Sequence, residues 1–430
     1  MKKAGGARRY RWWLAGAALV LSALAAWTIM WRPALPERGG SPGSFDADQV
    51  RRGANLARLG MCAACHTADV AKPFAGGLAL ATPFGTVYST NITPDARTGI
   101  GAWTVEAFTR AMRQGVARDG RLLYPAFPYT HYTKLGQGDI DALYAFFMTR
   151  PAIDAPAREN RMRFPFGFRP LVGFWNLLYL DESPWQADTR QSAQWNRGAY
   201  VTHALAHCAA CHTPRGLLGG PRLSRQFDGG EAEDWYAPAL DAQSPSPLPW
   251  TREHLGEYLR TGIAPGHAVA GGPMQDVVVQ LGQADPEDVR AIAAYIHGYL
   301  AQAPARVLPA PGPLPAPAAS EPDARMRLGH ETYVMACARC HDAGRASSSG
   351  GALQLQQAVA LYDPDPRSLI HIVREGITPP DGEPGRFMPG FATILNDEQL
   401  TALAAYLRRY GAKAEPWEDL EDSVKKTRTP

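Results

Sequence analysis

All six cysteines of this 430-residue chain fall in three copies of one string: Cys62-Ala63-Ala64-Cys65-His66, Cys208-Ala209-Ala210-Cys211-His212 and Cys337-Ala338-Arg339-Cys340-His341. Whatever the chain folds into must present a turn with two thiols and one imidazole three times over. A zinc shell would need two such pairs close together, yet the copies lie 146 and 129 residues apart and no other cysteine exists. A disulfide between cysteines three positions apart closes too small a loop to hold a domain. Covalent haem accounts for all of it, because two thiols on one helical turn can add to two vinyl groups while the next histidine lies under the iron. Cys62, Cys65, Cys208, Cys211, Cys337 and Cys340 are therefore expected to attach three haem c groups, with His66, His212 and His341 as proximal ligands.

The copies are the centres of longer repeats. A helical stretch with a glycine (Gly53, Gly198, Gly329) precedes each motif. A second helical pattern follows and ends in Arg-x-Gly at Gly115, Gly262 and Gly376, where the glycine reads as a helix C-cap. In these stretches Phe108, Leu255 and Leu369 precede Met112, Leu259 and Val373 by four positions, the spacing of one helix face. A closing helix comes last, around Ile140–Phe147, Val289–Ile296 and Leu400–Leu407, with alanines where another helix could approach closely. The expected fold is all-α, with three class-I-like cytochrome c domains in tandem at residues 45–152, 188–301 and 325–412. Between them lie a strap, 153–187, and a proline-rich linker, 302–324, read as an extended spacer that gives the third domain some freedom. A polar tail, 413–430, follows. The apolar middle of the strap, Leu171–Leu180, is too short to span a bilayer; packing between domains one and two, and a patch for a partner or the membrane surface, both fit it.

A distal sulfur raises the potential of a haem iron. Met388, in Gly385-Arg386-Phe387-Met388-Pro389, and Met274, in Gly271-Gly272-Pro273-Met274, stand in the loop before their closing helices. Domain one has Phe127 at that place, in Leu123-Tyr124-Pro125-Ala126-Phe127-Pro128-Tyr129-Thr130-His131. Its Met112 reads as core and Met148 as surface or packing. His131 is the substitute ligand, and a five-coordinate iron is the alternative. His203, His207 and His267 read as ordinary polar residues.

Residues 1–11 hold five basic and no acidic groups, and 12–31 are 20 uncharged, mainly apolar residues. A helix of that length matches a bilayer core, and the positive-inside rule leaves the preceding basic end in the cytoplasm. A single-pass anchor in the inner membrane with the body in the periplasm is expected; a cleaved signal peptide, with Ala23-Leu24-Ala25 as its site, is the other reading. With residues 1–32 set aside, 38 basic face 41 acidic residues, net −3. The pI near 8.5 is therefore a property of the N-terminal segment, and nothing argues for nucleic acid.

The ordered set of three motifs behind an apolar segment resembles the tri-haem cytochrome c subunits of bacterial membrane-bound dehydrogenases. So do the strings Tyr88-Ser89-Thr90-Asn91-Ile92-Thr93-Pro94-Asp95, Thr98-Gly99-Ile100-Gly101-Ala102-Trp103-Thr104 and Tyr124-Pro125-Ala126-Phe127-Pro128-Tyr129. Phe127 and His131, with Thr133-Lys134, are similar to members that accompany molybdenum hydroxylases acting on nicotinate, isoquinoline or aldehydes. The resemblance implies an electron-transfer subunit with no catalytic residues of its own. Its partner would be a dehydrogenase catalytic subunit, of molybdenum hydroxylase type in preference to a quinoprotein or flavoprotein. Its acceptor would be quinone, a terminal oxidase or a soluble cytochrome. The alternative is a haem enzyme, a peroxidase or gas-reducing cytochrome, with an open distal site on the first haem.

Overall fold

The computed structural model describes residues 4–39, 44–264, 267–304, 312–342, 353–378 and 387–427. They form two compact units, one of residues 1–57 with 65–185 and one of 186–430 with 58–64.

The first unit opens with α1 (Ala4–Met30), whose stretch Tyr10–Met30 is long and apolar enough to cross a membrane. The chain leaving it is sewn to the body: the Leu35 N–H donates to Arg118 O at 2.7 Å and the Arg38 N–H to Ala102 O at 2.9 Å. Along the chain then follow α2 (Ala47–Leu59) and α3 (Cys62–His66), of which residues 58–64 group with the second unit, and α4 (Val105–Gln114), the single turn α5 (Tyr129–Tyr132), α6 (Gln137–Met148) and α7 (Leu171–Tyr179). Strands β1 (Ala79–Thr82), β2 (Gly85–Tyr88) and β3 (Arg161–Met162) make a small antiparallel sheet in the order β1-β2-β3. Thr104 caps α4 by accepting from the Ala107 N–H, and Gly115 ends it at φ 63°, a left-handed conformation that costs glycine least.

The second unit repeats the scheme twice. One set is α8 (Ala193–Tyr200), α9 (Ala209–His212), the hairpin β4 (Gly230–Ala232) and β5 (Trp235–Ala237), α10 (Arg252–Thr261), the hairpin β6 (Ile263–Ala264) and β7 (Ala268–Val269), α11 (Pro273–Gly282) and α12 (Pro286–Leu300). The other is α13 (Ala324–Ala336), α14 (Ala338–His341), α15 (Arg367–Glu375), α16 (Asp397–Tyr406) and α17 (Leu420–Lys426).

The glycines ahead of the motifs mark three helix crossings of one kind. A methyl group added at Gly53 would lie 1.9 Å from Ala142 O, at Gly198 1.9 Å from Ala291 O, and at Gly329 2.2 Å from Ala402 O. Each first helix thus touches the backbone of its closing helix, which only a residue without a side chain permits. In the first two crossings the preceding arginine pairs with an aspartate at the third position of the closing helix: Arg52 with Asp139 at 2.6 Å and Arg197 with Asp288 at 2.7 Å. The third has Leu328 and Gln399 at those places; Gln399 instead completes a capping box with Asn396.

The structure departs from expectation in three places and shows how the strap is packed. Short hairpins accompany the helices, so the chain is not purely α. The described part of the linker is packed: Leu314 is buried in the core around α13 and α16, and Pro315 O accepts from the Tyr406 hydroxyl at 3.0 Å. The polar tail carries Trp417, Leu420 and Val424 into that same core, because Leu420 and Val424, four apart on α17, form an apolar face. The strap wraps the first unit: Asn160 Oδ1 accepts from the Tyr88 N–H at 2.8 Å, and Lys134 Nζ binds the Asp181 carboxylate at 2.7 Å.

Candidate haem-binding sites

In each motif both cysteines and the histidine lie on one helical turn. Cys62 opens α3, Cys208 caps α9 and Cys337 caps α14, and the His212 and His341 N–H groups both donate at 3.0 Å to the carbonyl of the first cysteine. Burial pushes the thiols of Cys208 and Cys337 up to about 12.

The histidines share one arrangement. Nδ1 of His66 lies 2.7 Å from Thr90 O, that of His212 2.7 Å from Pro238 O, and that of His341 2.9 Å from Leu353 O. A carbonyl oxygen can only accept, so Nδ1 carries the proton and Nε2 keeps its lone pair. Burial lowers all three pKa values despite these bonds, which favours the neutral imidazole. A neutral ring with its tautomer fixed by a backbone acceptor is the form that ligates iron. The side chains present therefore fit a covalently held haem at each motif, with the thiols for attachment and Nε2 for the metal.

The hairpins explain where the carbonyls come from. Thr90 lies two residues past Tyr88 at the end of β2, and Pro238 two residues past Tyr236 in β5. Behind them, the Gly76 N–H donates to His66 O at 2.7 Å and the Gly229 N–H to His212 O at 3.1 Å. Thr67 Oγ1 accepts from the Phe74 N–H at 3.0 Å, and Thr213 Oγ1 from the Phe227 N–H at 3.1 Å. Phe74 and Phe227 adopt φ of 64° and 67°. A signal for all this stands in the sequence: Cys-His-Thr followed by Phe-x-Gly-Gly, at Phe74-Ala75-Gly76-Gly77 and again at Phe227-Asp228-Gly229-Gly230. The Tyr88–Asp95 string serves the same end. Asn91 Nδ2 donates to Ile153 O at 2.7 Å and its Oδ1 accepts from the Thr93 N–H at 2.9 Å, which holds the chain just beyond Thr90.

The distal candidates occupy different places. Gly115 O accepts from the Leu123 N–H and Gly262 O from the Ala270 N–H, each at 2.7 Å; four residues further on stand Phe127 and Met274. Backbone register thus puts Phe127 where domain two has methionine. Met274 is the second residue of α11, a helix not anticipated in that loop. Met388 lies five positions earlier in this register, in a bridge that exchanges two 2.9 Å hydrogen bonds with Ile377; Gly385 and Arg386 fall outside the described residues. Phe127 packs on Tyr132 at 5.4 Å. His131 is half-buried on α5, one turn beyond that ring. Met112 and Met148 are both buried, at 6% and 3% exposure, so each serves as packing. His203 has both ring nitrogens engaged, with Tyr295 and Gln226, and His267 stacks on Trp250 at 4.3 Å.

This architecture is that of cytochrome c. Residues 197–299 match the family model described as Cytochrome c, and residues 324–407 the one described as Cytochrome C oxidase, cbb3-type, subunit III. The chain is 41% identical over 430 residues to a nicotinate dehydrogenase subunit of Pseudomonas putida, covering 98% of this chain and 36% of that protein. With the fructose dehydrogenase cytochrome subunit of Gluconobacter japonicus it shares 33% identity over 411 residues, 90% of this chain and 84% of the relative. A dihaem cytochrome c-type protein of Cereibacter sphaeroides is 37% identical over 289 residues, 66% of this chain and 96% of its own length. The chain belongs to the family of cytochrome c subunits of bacterial dehydrogenases, which are electron-transfer components and not catalytic subunits.

Proposed function

We infer that this chain carries three haem c groups in three cytochrome c domains and passes electrons from a dehydrogenase to a membrane acceptor. The observation that carries the reading is the threefold recurrence of a half-buried, Nδ1-anchored histidine behind a two-cysteine turn. When bound, haem supplies reversible one-electron chemistry at iron; the chain supplies attachment, axial ligands and burial. Cys62, Cys65, Cys208, Cys211, Cys337 and Cys340 attach the groups and His66, His212 and His341 ligate them. Met274 and Met388 complete two of the sites and His131 the first.

The electron donor is a dehydrogenase catalytic subunit. The match along nearly the whole chain to a nicotinate dehydrogenase subunit supports the molybdenum hydroxylase type over a quinoprotein or flavoprotein. The chain spans only about a third of that relative. Quinone, a terminal oxidase or a soluble cytochrome takes the electrons. The segment Tyr10–Met30 anchors the protein in the inner membrane, with the body in the periplasm. A pyridine haemochrome assay on the purified full chain tests the count: three haems per polypeptide are expected, and two would overturn it. Added carbon monoxide tests the enzymatic alternative, because rapid binding of one equivalent to the reduced protein would mean an open distal site.

A further inference from the structure

We propose that α7 and the loop before it rest on the bilayer surface, beside the point where α1 leaves the membrane. The inference rests on the anchor reading of α1 and adds a second, peripheral membrane contact. Helix α7 is apolar apart from Asn176, a composition that requires cover all round. One side has it: Val172 and Gly173 are buried, the Tyr129 hydroxyl donates to Asn176 Oδ1 at 2.6 Å, and Trp175 packs edge-on to Tyr129 at 6.4 Å. The other side carries Phe174, Leu177 and Leu178 in the open, the last two about 65% exposed, and Phe164 in the preceding loop is 97% exposed.

What covers this face follows from its neighbour. At Gly173 an added methyl would lie 2.4 Å from Ile29 O and 3.0 Å from the Ile29 side chain, so α7 touches α1 two residues before Trp31. At 1.5 Å per residue, that contact is about 3 Å from the end of the apolar stretch. Trp27 and Trp31, stacked at 5.8 Å, mark the same level, since tryptophans favour the membrane interface. The orientation is held from the body side, where Arg110 Nη1 donates to Pro33 O at 2.7 Å and Leu35 and Arg38 bond to the chain near α4. An element packed on the last turn of a membrane helix lies at the lipid headgroups. Arg161 and Arg163, exposed next to Phe164, suit anionic lipid. The occupant is therefore the outer surface of the bilayer.

The test uses the full haem-loaded chain in phosphatidylcholine–phosphatidylglycerol vesicles containing a phospholipid with a photoreactive acyl chain, with labelled peptides located by mass spectrometry. Labelling of the segment 164–178 alongside α1 is expected, and L177E/L178E should reduce it about fivefold with the haem spectrum unchanged. Label on α1 with none on 164–178 would overturn the proposal and leave the anchor standing. Label on 164–178 with none on α1 would keep the surface contact and refute the anchor. A segment that lipid does not label and that becomes protected only when a dehydrogenase is added would also overturn it, in favour of a protein partner.

Discussion

At the scale of the residue, each motif histidine is oriented by one hydrogen bond to a backbone carbonyl, and in the first motif that carbonyl is set by a glycine. A methyl group at Gly76 would lie 2.4 Å from the Thr90 carbonyl carbon, so the turn that brings Thr90 O to His66 exists only with glycine there. Between the first two motifs, the side chain alone distinguishes the distal position. Phe127 has no lone pair to offer iron, and His131 is the ligand proposed for the first haem. Replacing His131 with alanine should convert one haem of the three to high spin, seen in electron paramagnetic resonance and in the near-infrared spectrum. An unchanged spectrum would refute the assignment.

At the scale of the element, the closest backbone approach in each repeat is a helix crossing at glycine. Gly198→Ala drives a methyl into Ala291 O and should cost about 2–3 kcal/mol, with loss of haem as the crossing opens. Gly256, on α10, is the control: an added methyl meets only Ala293 Cβ at 3.8 Å. Gly256→Ala should be neutral or stabilise by about 0.5–1 kcal/mol in urea unfolding, through helix propensity.

The hairpin of β6 and β7 carries a pH dependence. Burial and the neighbouring His254 hold His267 down at about 4, below its usual value near 6.5. As the pH falls, the unfolded chain takes up this proton first, so stability is lost between roughly pH 6.5 and 4 and is unaffected above that window. In His267→Gln the slope of unfolding free energy against pH in this window should flatten.

At the scale of the molecule, the two helical sets of the second unit meet through β5 and α15. Trp235 stacks on His371 at 4.9 Å, and the Arg367 guanidinium reaches Glu231 at 3.0 Å and Asp234 at 3.3 Å while its own Asp365 lies at 2.9 Å. Ser368 Oγ donates to Tyr236 O. Such a contact fixes the separation and orientation of the two sets, and so of the haem groups proposed for them, which a flexible linker could not. Arg367→Ala leaves three carboxylates facing one another. It should split a single calorimetric transition of this unit into two, with the difference reduced at high salt. A single unshifted transition would show that the ion cluster contributes nothing to docking.

Much of this was legible in the residues because it is local. Two cysteines and a histidine on one turn, a glycine that ends α4 or α10, and a four-residue spacing on one helix face need only the chain itself. The glycines of the crossings were visible as a repeat, yet nothing in the sequence said that each meets an alanine carbonyl some 70 to 95 residues away. The Phe-x-Gly-Gly signal was present and passed over, because its partner, the carbonyl at Thr90 or Pro238, lies at the end of a hairpin too short to show strand alternation. The proline-rich linker and the polar C-terminal stretch misled for one reason: composition reports average polarity, whereas docking is decided by a few residues such as Leu314, Trp417 and Leu420. By itself, then, the sequence determined the repeated two-cysteine turn, the helices and the family, all consequences of bonding and periodicity along the chain. Only the tertiary structure decided which carbonyl orients each histidine, how the two helical sets of the second unit lock together, and which side of α7 stays open. These are contacts between distant residues, and local preference does not encode them.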